Sequence, residues 1–386
     1  MYVSHVSYHD WRNIPTCSIE MKPGINVLWG MNAQGKSNIL EGIYYFARGR
    51  SFRGAKEREL IRFGEQFASA AIDFRRDGFE NDTRLEVVIP QTGKKRVTRN
   101  GAPLSSTSEM MGSFRAVLFC PANLTIVTGG PLERRTFLDI AISQLSGAYL
   151  TYLKRYTKIL TERNALIKRA GDGERVTREE WAVYAEQLSE YGSWISAYRS
   201  EYVSYLSDAV GKYFSGMTNG REIPQLTYAS HALTEQMPRP FISGLTEPDK
   251  TPLLQKLMNN VEREIAAGST LWGIHKDELH LVLNGKEAKT YASQGQQRSF
   301  VLSMKLAEAE IANALGGEYP VILLDDVFSE LDESRRRYIL DSLGADTASP
   351  DSARQIIITS CEPDVIPDSR SQYVVFHHVD SGGVDA

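Results

Sequence analysis

One stretch limits the possible folds more than any other: residues 27–40 read VLWGMNAQGKSNIL. Gly30, Met31, Asn32, Ala33, Gln34, Gly35, Lys36 and Ser37 match G-x-x-x-x-G-K-[ST], the pattern of a phosphate-binding loop. Chemistry explains the spacing. Glycines let backbone N–H groups close round phosphate oxygens, the lysine supplies a cation for the β- and γ-phosphates, and the serine hydroxyl reaches a magnesium ion. Asn38 extends the candidate nucleotide-contacting run. An apolar run from Ile25 to Trp29 enters the loop, and Ile39, Leu40, Ile43, Tyr44, Phe46 and Ala47 follow at helical spacing. Strand, glycine loop and helix in that order predict an α/β fold and raise the match above coincidence.

A second element lies far downstream. Val321-Ile322-Leu323-Leu324-Asp325-Asp326 is an apolar run ending in two acids, as expected of a buried parallel strand with carboxylates at its tip. Asp325 is the candidate magnesium ligand with Ser37. Asp326 is the candidate catalytic group that orients or deprotonates the attacking water, alongside Lys36. Upstream of that strand, Tyr291-Ala292-Ser293-Gln294-Gly295-Gln296-Gln297-Arg298-Ser299 opens a helix with Phe300, Leu302, Leu306 and Ala307 on its apolar face. Ser293, Gly295 and Gln296 would present a hydroxyl, backbone N–H groups and a positive dipole end to an anion. Taken alone, S-Q-G-Q-Q reads by default as a polar helix cap. Ser329-Glu330-Leu331-Asp332 directly follows the two acids. Glycine loop, S-x-G-Q helix, two-acid strand and S-x-L-D in this order are similar to the ABC ATPase class. That likeness adds Ser329 and Asp332 to the nucleotide-binding candidates and implies that the S-x-G-Q helix meets a γ-phosphate held by a partner subunit.

The remainder of the 386 residues sets the frame. The net charge of −4 gives no global basic field. Cys17, Cys120 and Cys361 stand apart, without a C-x-x-C pair, which argues against a disulfide framework or a structural zinc site. Neither a signal peptide nor an apolar run of membrane-spanning length is present, so a cytosolic protein with no membrane association is expected. Residues 67–120 read mostly as strands, with Asn100-Gly101 a hairpin turn. Trp181, Tyr184, Leu188, Tyr191, Ile195, Tyr198, Tyr202 and Tyr205 alternate spacings of three and four. Tyr149, Leu153, Tyr156, Leu160 and Ile167 form a weaker earlier seam, and Gly171-Asp172-Gly173 between them predicts an antiparallel helical hairpin. Residues 217–250 read as a loop-rich return. Three segments are expected: 1–130 and 251–386 as the two parts of an ATPase head, and 131–250 as a helical lobe with its return.

In these motifs the chain resembles the RecF family of SMC-like ABC ATPases over nearly its whole length. The likeness rests on GKSN, on FCPANL and ERRTFLD before residue 140, on YLKRYTKILTERN at 152–164, and on SQGQQRS and LLDDVFSELD. It implies an ABC-type P-loop ATPase head, α/β in class, with an inserted α-helical second lobe. It also implies ATP and Mg²⁺ as cofactors, ATP-dependent homodimerisation on gapped or junction-containing DNA, and recombinase loading with RecO and RecR. Asp326 stands where ABC transporters carry a glutamate, and no histidine follows Gln355-Ile356-Ile357-Ile358-Thr359-Ser360. The shorter Asp326 side chain is consistent with slow hydrolysis, and both departures argue against the alternative of a transporter ATPase subunit. Thr359 or Ser360 is the stand-in for that histidine. A nuclease-coupled ATPase is the other alternative. The segment HKDEL at 275–279 has no chemical role assignable from sequence.

Local charge supplies the DNA-binding candidates. Lys94, Lys95, Arg96 and Arg99 surround the Asn100-Gly101 turn, and Lys154, Arg155 and Lys158 line the first arm of the hairpin. Arg48, Arg50, Arg53, Lys56, Arg58 and Arg62 form a further cluster after the first helix. Such groups neutralise phosphates without reading bases, though each is equally compatible with a solvated face.

Overall fold

A computed structural model of the chain describes residues 1–232, 247–343, 354–363, 366 and 374–385. In chain order it begins β1 (Tyr2–Trp11), β2 (Ile14–Glu20), β3 (Gly24–Trp29), α1 (Lys36–Arg48), β4 (Phe67–Arg75), β5 (Thr83–Pro90), β6 (Arg96–Arg99), β7 (Ala102–Pro103) and β8 (Ala116–Phe119). Next come α2 (Thr125–Thr128), α3 (Pro131–Leu145), α4 (Gly147–Gly171), α5 (Arg178–Thr218), β9 (Pro224–Ala229), α6 (Thr251–Asn259) and α7 (Val261–Ala267). The last part holds β10 (Glu278–Leu283), β11 (Lys286–Glu287), α8 (Ala288–Tyr291), α9 (Gln294–Gly316), β12 (Val321–Asp325), α10 (Glu333–Ser342), β13 (Gln355–Ser360), β14 (Val374–Asp380) and β15 (Gly383–Asp385). Contacts divide the chain into one unit of Met1–Asn123 with Leu302–Ala386 and a second of Leu124–Val301.

In the first unit, one sheet has the order β15-β14-β3-β13-β12-β8. Its pairs are parallel except for the β14–β15 hairpin. Strands β8 and β12 are buried at every position, which is why both read as unbroken apolar runs. Register does the functional work here. Thr359 of β13 lies opposite Leu28 on one side and Asp325 on the other, so the glycine loop after β3 and the acids after β12 end on one sheet edge. A second, antiparallel sheet has the order β2-β1-β4-β5-β6-β7 and alternates buried and open positions along β5. Its inner face shares a core with α1 and the first sheet: Val6, Trp11, Ile39, Ile43, Ile72, Leu85, Leu323 and Ile357 belong to one cluster. Asn100 (φ 50°) and Gly101 (φ 80°) make the expected tight turn between β6 and β7.

The second unit is built on the α4–α5 hairpin. Tyr149 meets Tyr198 with ring centroids 5.6 Å apart, and Tyr152 meets Tyr191 at 6.0 Å, so positions rising along α4 meet positions falling along α5. The helices are antiparallel, as the two seams predict. Thr177 and Glu180 close a capping box at the start of α5 through N–H bonds of 3.2 and 2.8 Å. Where the sequence suggests a loop at 217–250, β9 forms instead and pairs with β10; residues 233–246 of that stretch lie outside the described residues. That pairing places β10 with β9 in the second unit.

The HKDEL segment is the polar centre of this unit. Asp277 is fully buried and accepts hydrogen bonds from the Tyr228 hydroxyl, the Ser196 hydroxyl at 3.3 Å and the His231 N–H at 2.7 Å, with the Arg199 guanidinium 3.8 Å away. Burial pushes the Tyr228 hydroxyl well above its ordinary pKa, and the Asp277 charge adds to the shift. Glu278 pairs with Arg134 at 2.8 Å. Arg163 and Glu264 are likewise fully buried and 2.5 Å apart, with Glu264 also accepting from the Leu271 N–H at 2.8 Å. Glu264→Ala leaves that guanidinium buried and uncompensated. It should cost the unit about 3–5 kcal/mol, read as an early unfolding transition in a denaturant titration. An unchanged midpoint would contradict this account of the pair.

Candidate nucleotide site

The loop between β3 and α1 forms one wall of an open cavity of about 390 Å³, lined also by Asn13, Arg53, Asp326, Thr359, Ser360 and Cys361. Residues 32–38 all face it. Gly30 is required by fit, because a Cβ there would lie 2.3 Å from the Val379 carbonyl oxygen. Gly35 (φ 112°) caps α1, so the positive end of a 13-residue helix dipole opens into the cavity. The Lys36 ammonium is buried and donates to the carbonyls of Gly30 and Met31, the latter at 2.7 Å. These bonds hold the cation across the loop. Two neutral carbonyls are weaker partners than a phosphate, so the lysine can exchange them for nucleotide.

On the far wall, the Thr359 hydroxyl ties the acid pair together. It donates to Asp325 Oδ1 at 3.0 Å and accepts from the Asp326 N–H at 2.9 Å. Asp325 is 6 % exposed, whereas Asp326 is exposed and sits at φ 52°, a left-handed conformation that Asp tolerates better than most residues. The chain thus turns sharply between the two acids and separates a buried carboxylate from one facing the cavity. A hydroxyl at Ser37 and a carboxylate at Asp325 are hard oxygen donors. Magnesium bound with phosphates needs only one or two protein ligands of this kind, so the set fits the ion. Ser329 donates to the Asp326 carbonyl at 2.9 Å, fixing the turn from behind. Asp332 caps α10 by accepting from the Arg335 N–H at 2.9 Å, and the Ser334 hydroxyl together with that N–H holds its carboxyl below the usual range.

Ser293, Gly295 and Gln296 stand in the second unit. Ser293 is exposed and its hydroxyl accepts from the Gln296 N–H at 3.3 Å, while the Gln296 side chain accepts from the Ser293 N–H at 2.7 Å. S-Q-G-Q is therefore a capping box in this chain. The Gln296 amide also donates to Glu222.

Arg53 belongs with the cavity. It donates to Asn38 at 2.9 Å and lies over the Phe52 ring at 5.5 Å, a place that its membership of a basic cluster does not reveal. Asn13 carries no motif signal at all, yet it bonds Ala33 and Asn38. Among the remaining basic candidates, Lys95 is held by Glu57, by the Tyr45 hydroxyl at 2.8 Å and by the Gly49 carbonyl at 3.2 Å. Arg99 is held by Ser113 and the Glu109 carbonyl. Lys94 and Arg96 are exposed, as are Lys154, Arg155 and Lys158. Arg155 bonds the Tyr191 hydroxyl at 3.2 Å, and Lys158 lies 3.8 Å from Glu162.

The family described as the RecF/RecN/SMC N terminal domain matches residues 2–382. The "DNA replication and repair protein RecF" of Clostridium novyi is 38% identical over 343 residues, covering 89% of this chain and 90% of that protein. The chain belongs to the RecF family. The RecF protein of Thermoanaerobacter sp. is 36% identical over an equal span, covering 89% of this chain and 91% of the relative. A solved structure described as the recombination mediator protein RecF-ATP in the RecFOR pathway superposes with a TM-score of 0.88 at 32% identity, over 100% of this chain and 97% of that one. The Smc head of Pyrococcus furiosus, at 15% identity and a TM-score of 0.55, covers 100% of this chain and 95% of its own; it shows the shared head fold. Among the described residues no helix is long and apolar enough to cross a membrane.

Proposed function

We propose that this chain is a cytoplasmic, ATP-gated DNA-binding protein of replication maintenance and recombinational repair, acting in a pathway with RecO and RecR. ATP with Mg²⁺ brings two copies together on gapped or junction-containing DNA, and slow hydrolysis releases them. The observation that carries the reading is the cavity in which a glycine loop, a buried cation and Asp326 meet, in a chain similar to a RecF structure described with ATP. Magnesium bound there would neutralise phosphate charge, with Ser37 and Asp325 as its protein ligands. Lys36 would bind the β- and γ-phosphates, and Asp326 would orient the attacking water and accept its proton. Ser293, Gly295 and Gln296, with Ser329 and Asp332, would meet nucleotide or the facing subunit across the dimer. DNA phosphates would be neutralised by Lys94, Arg96, Lys154, Arg155 and Lys158.

Light scattering tests the scheme. Mass should double on adding ATP and Mg²⁺, and the doubled species should be retained on gapped duplex. Replacing Lys94 and Arg96 with Ala should then lower the log–log salt slope of DNA binding by roughly 0.9 per lost duplex phosphate contact. A protein that stays monomeric with ATP, Mg²⁺ and DNA together would refute the gating scheme.

A further inference from the structure

We infer that two turns outside the glycine loop set its phosphate-binding shape: Asn13, between β1 and β2, and Ser381-Gly382, between β14 and β15, are positioning residues for ATP. The inference rests on the reading that this loop binds a nucleoside triphosphate. It starts from two carbonyl groups. The Ala33 carbonyl accepts from Asn13 Nδ2 at 3.1 Å, and the Gln34 carbonyl accepts from the Gly382 N–H at 2.9 Å. The Gln34 side-chain oxygen accepts from the Ser381 N–H at 2.6 Å. No described peptide bond is cis, and in a trans peptide the carbonyl and the following N–H point in opposite directions. Holding the Ala33 carbonyl toward Asn13 and the Gln34 carbonyl toward Gly382 therefore turns the N–H groups of Gln34 and Gly35 away from those partners. Neither N–H donates to a backbone or side-chain acceptor among the described residues. Ala33 at φ 67° and Gly35 at φ 112° supply the left-handed steps by which successive N–H groups converge into an anion nest.

The two turns are themselves braced. Asn13 Oδ1 accepts from the Asn38 amide at 2.7 Å, and Asn38 Oδ1 accepts from Arg53 at 2.9 Å, which fixes the direction of the Asn13 amide. A Cβ on Gly382 would lie 2.7 Å from the Asn13 carbonyl oxygen, so the C-terminal turn seats directly against the Asn13 turn. The loop is thus braced by parts of the chain at residues 13 and 381–382, and the nest does not have to form at the moment of binding.

Asn13→Ala removes the donor to Ala33 from an exposed site, and Gly382→Ala forces the C-terminal turn away from Asn13. Each should weaken ATP and ADP binding about five- to tenfold, the loss of one net hydrogen bond. Binding would be read by fluorescence titration. The loss should appear in affinity and KM far more than in kcat at saturating ATP. The nucleotide-free melting temperature of Asn13→Ala should stay within about 2 °C of the parent, as expected for an exposed polar substitution. Lys36→Met serves as the control. If it loses ATP binding while Asn13→Ala, folded and stable, keeps full affinity, the inference is overturned and the nucleotide reading survives. A loss confined to kcat would overturn it as well. If Lys36→Met also keeps full affinity, the nucleotide reading itself has failed.

Discussion

Asp326→Asn is expected to slow ATP hydrolysis on the order of a hundred- to a thousandfold while ATP affinity changes by no more than a few-fold. A carboxamide cannot accept the proton of the attacking water, and general-base groups contribute rate factors of roughly this size. The geometry makes the substitution a clean one. Asn tolerates the left-handed backbone at φ 52° as readily as Asp does, so the turn between the two acids should survive. The bonds that hold the turn use the main chain of residue 326: its N–H to Thr359 and its carbonyl to Ser329. Neither depends on the side chain. With binding intact and hydrolysis slowed, the ATP-bound dimer should persist on gapped DNA, measured as a longer residence time at fixed salt. Single-turnover hydrolysis by rapid quench separates chemistry from product release. Turnover at the parent rate would place the base elsewhere in the cavity.

The site was legible in the sequence where chemistry fixes residues at short spacing. Gly30, Gly35, Lys36 and Ser37 must follow one another closely to cradle phosphates, and Asp325-Asp326 must end an apolar strand. The strand order that brings these segments to one sheet edge is a tertiary fact, and the sequence supported it only through resemblance. Asn13, Ser381 and Gly382 carry no local signal, because their role depends on three distant turns meeting. A run of charge does not show its partners, for a related reason. Lys95 and Arg99 belong to a basic run by sequence, yet Glu57, Tyr45 and Ser113 engage them in the fold. Arg53 sits in another run but faces the cavity. The β9–β10 pairing spans more than 40 intervening residues (roughly the length of a supersecondary unit), and local periodicity does not encode it. The α4–α5 seams, by contrast, are local patterns, and Tyr149, Tyr191 and Tyr198 of the paired rings lie on them.

Ser293→Arg is expected to abolish ATP-dependent dimerisation, and with it hydrolysis and DNA retention, while a single chain still binds ATP. In the proposed dimer, Ser293 opens the helix whose N-terminus meets the γ-phosphate held by the facing subunit's glycine loop. An arginine at an exposed helix start has no room between helix end and phosphate without pushing the two heads apart. The substitution also removes the Ser293 half of the capping box with Gln296, worth about 1 kcal/mol of helix stability. Ser293→Ala removes that cap without adding bulk and so isolates the two effects. Both variants should lose a few degrees of melting temperature, but the arginine variant alone should lose dimerisation completely. Mixing Ser293→Arg with Lys36→Met should not restore two working sites, since one interface pairs both intact elements and the other pairs both defects. Mass by light scattering with ATP and Mg²⁺ reads the outcome directly. A Ser293→Arg protein that dimerises and turns over like its parent would leave S-Q-G-Q as a helix cap alone and remove the shared-site mechanism.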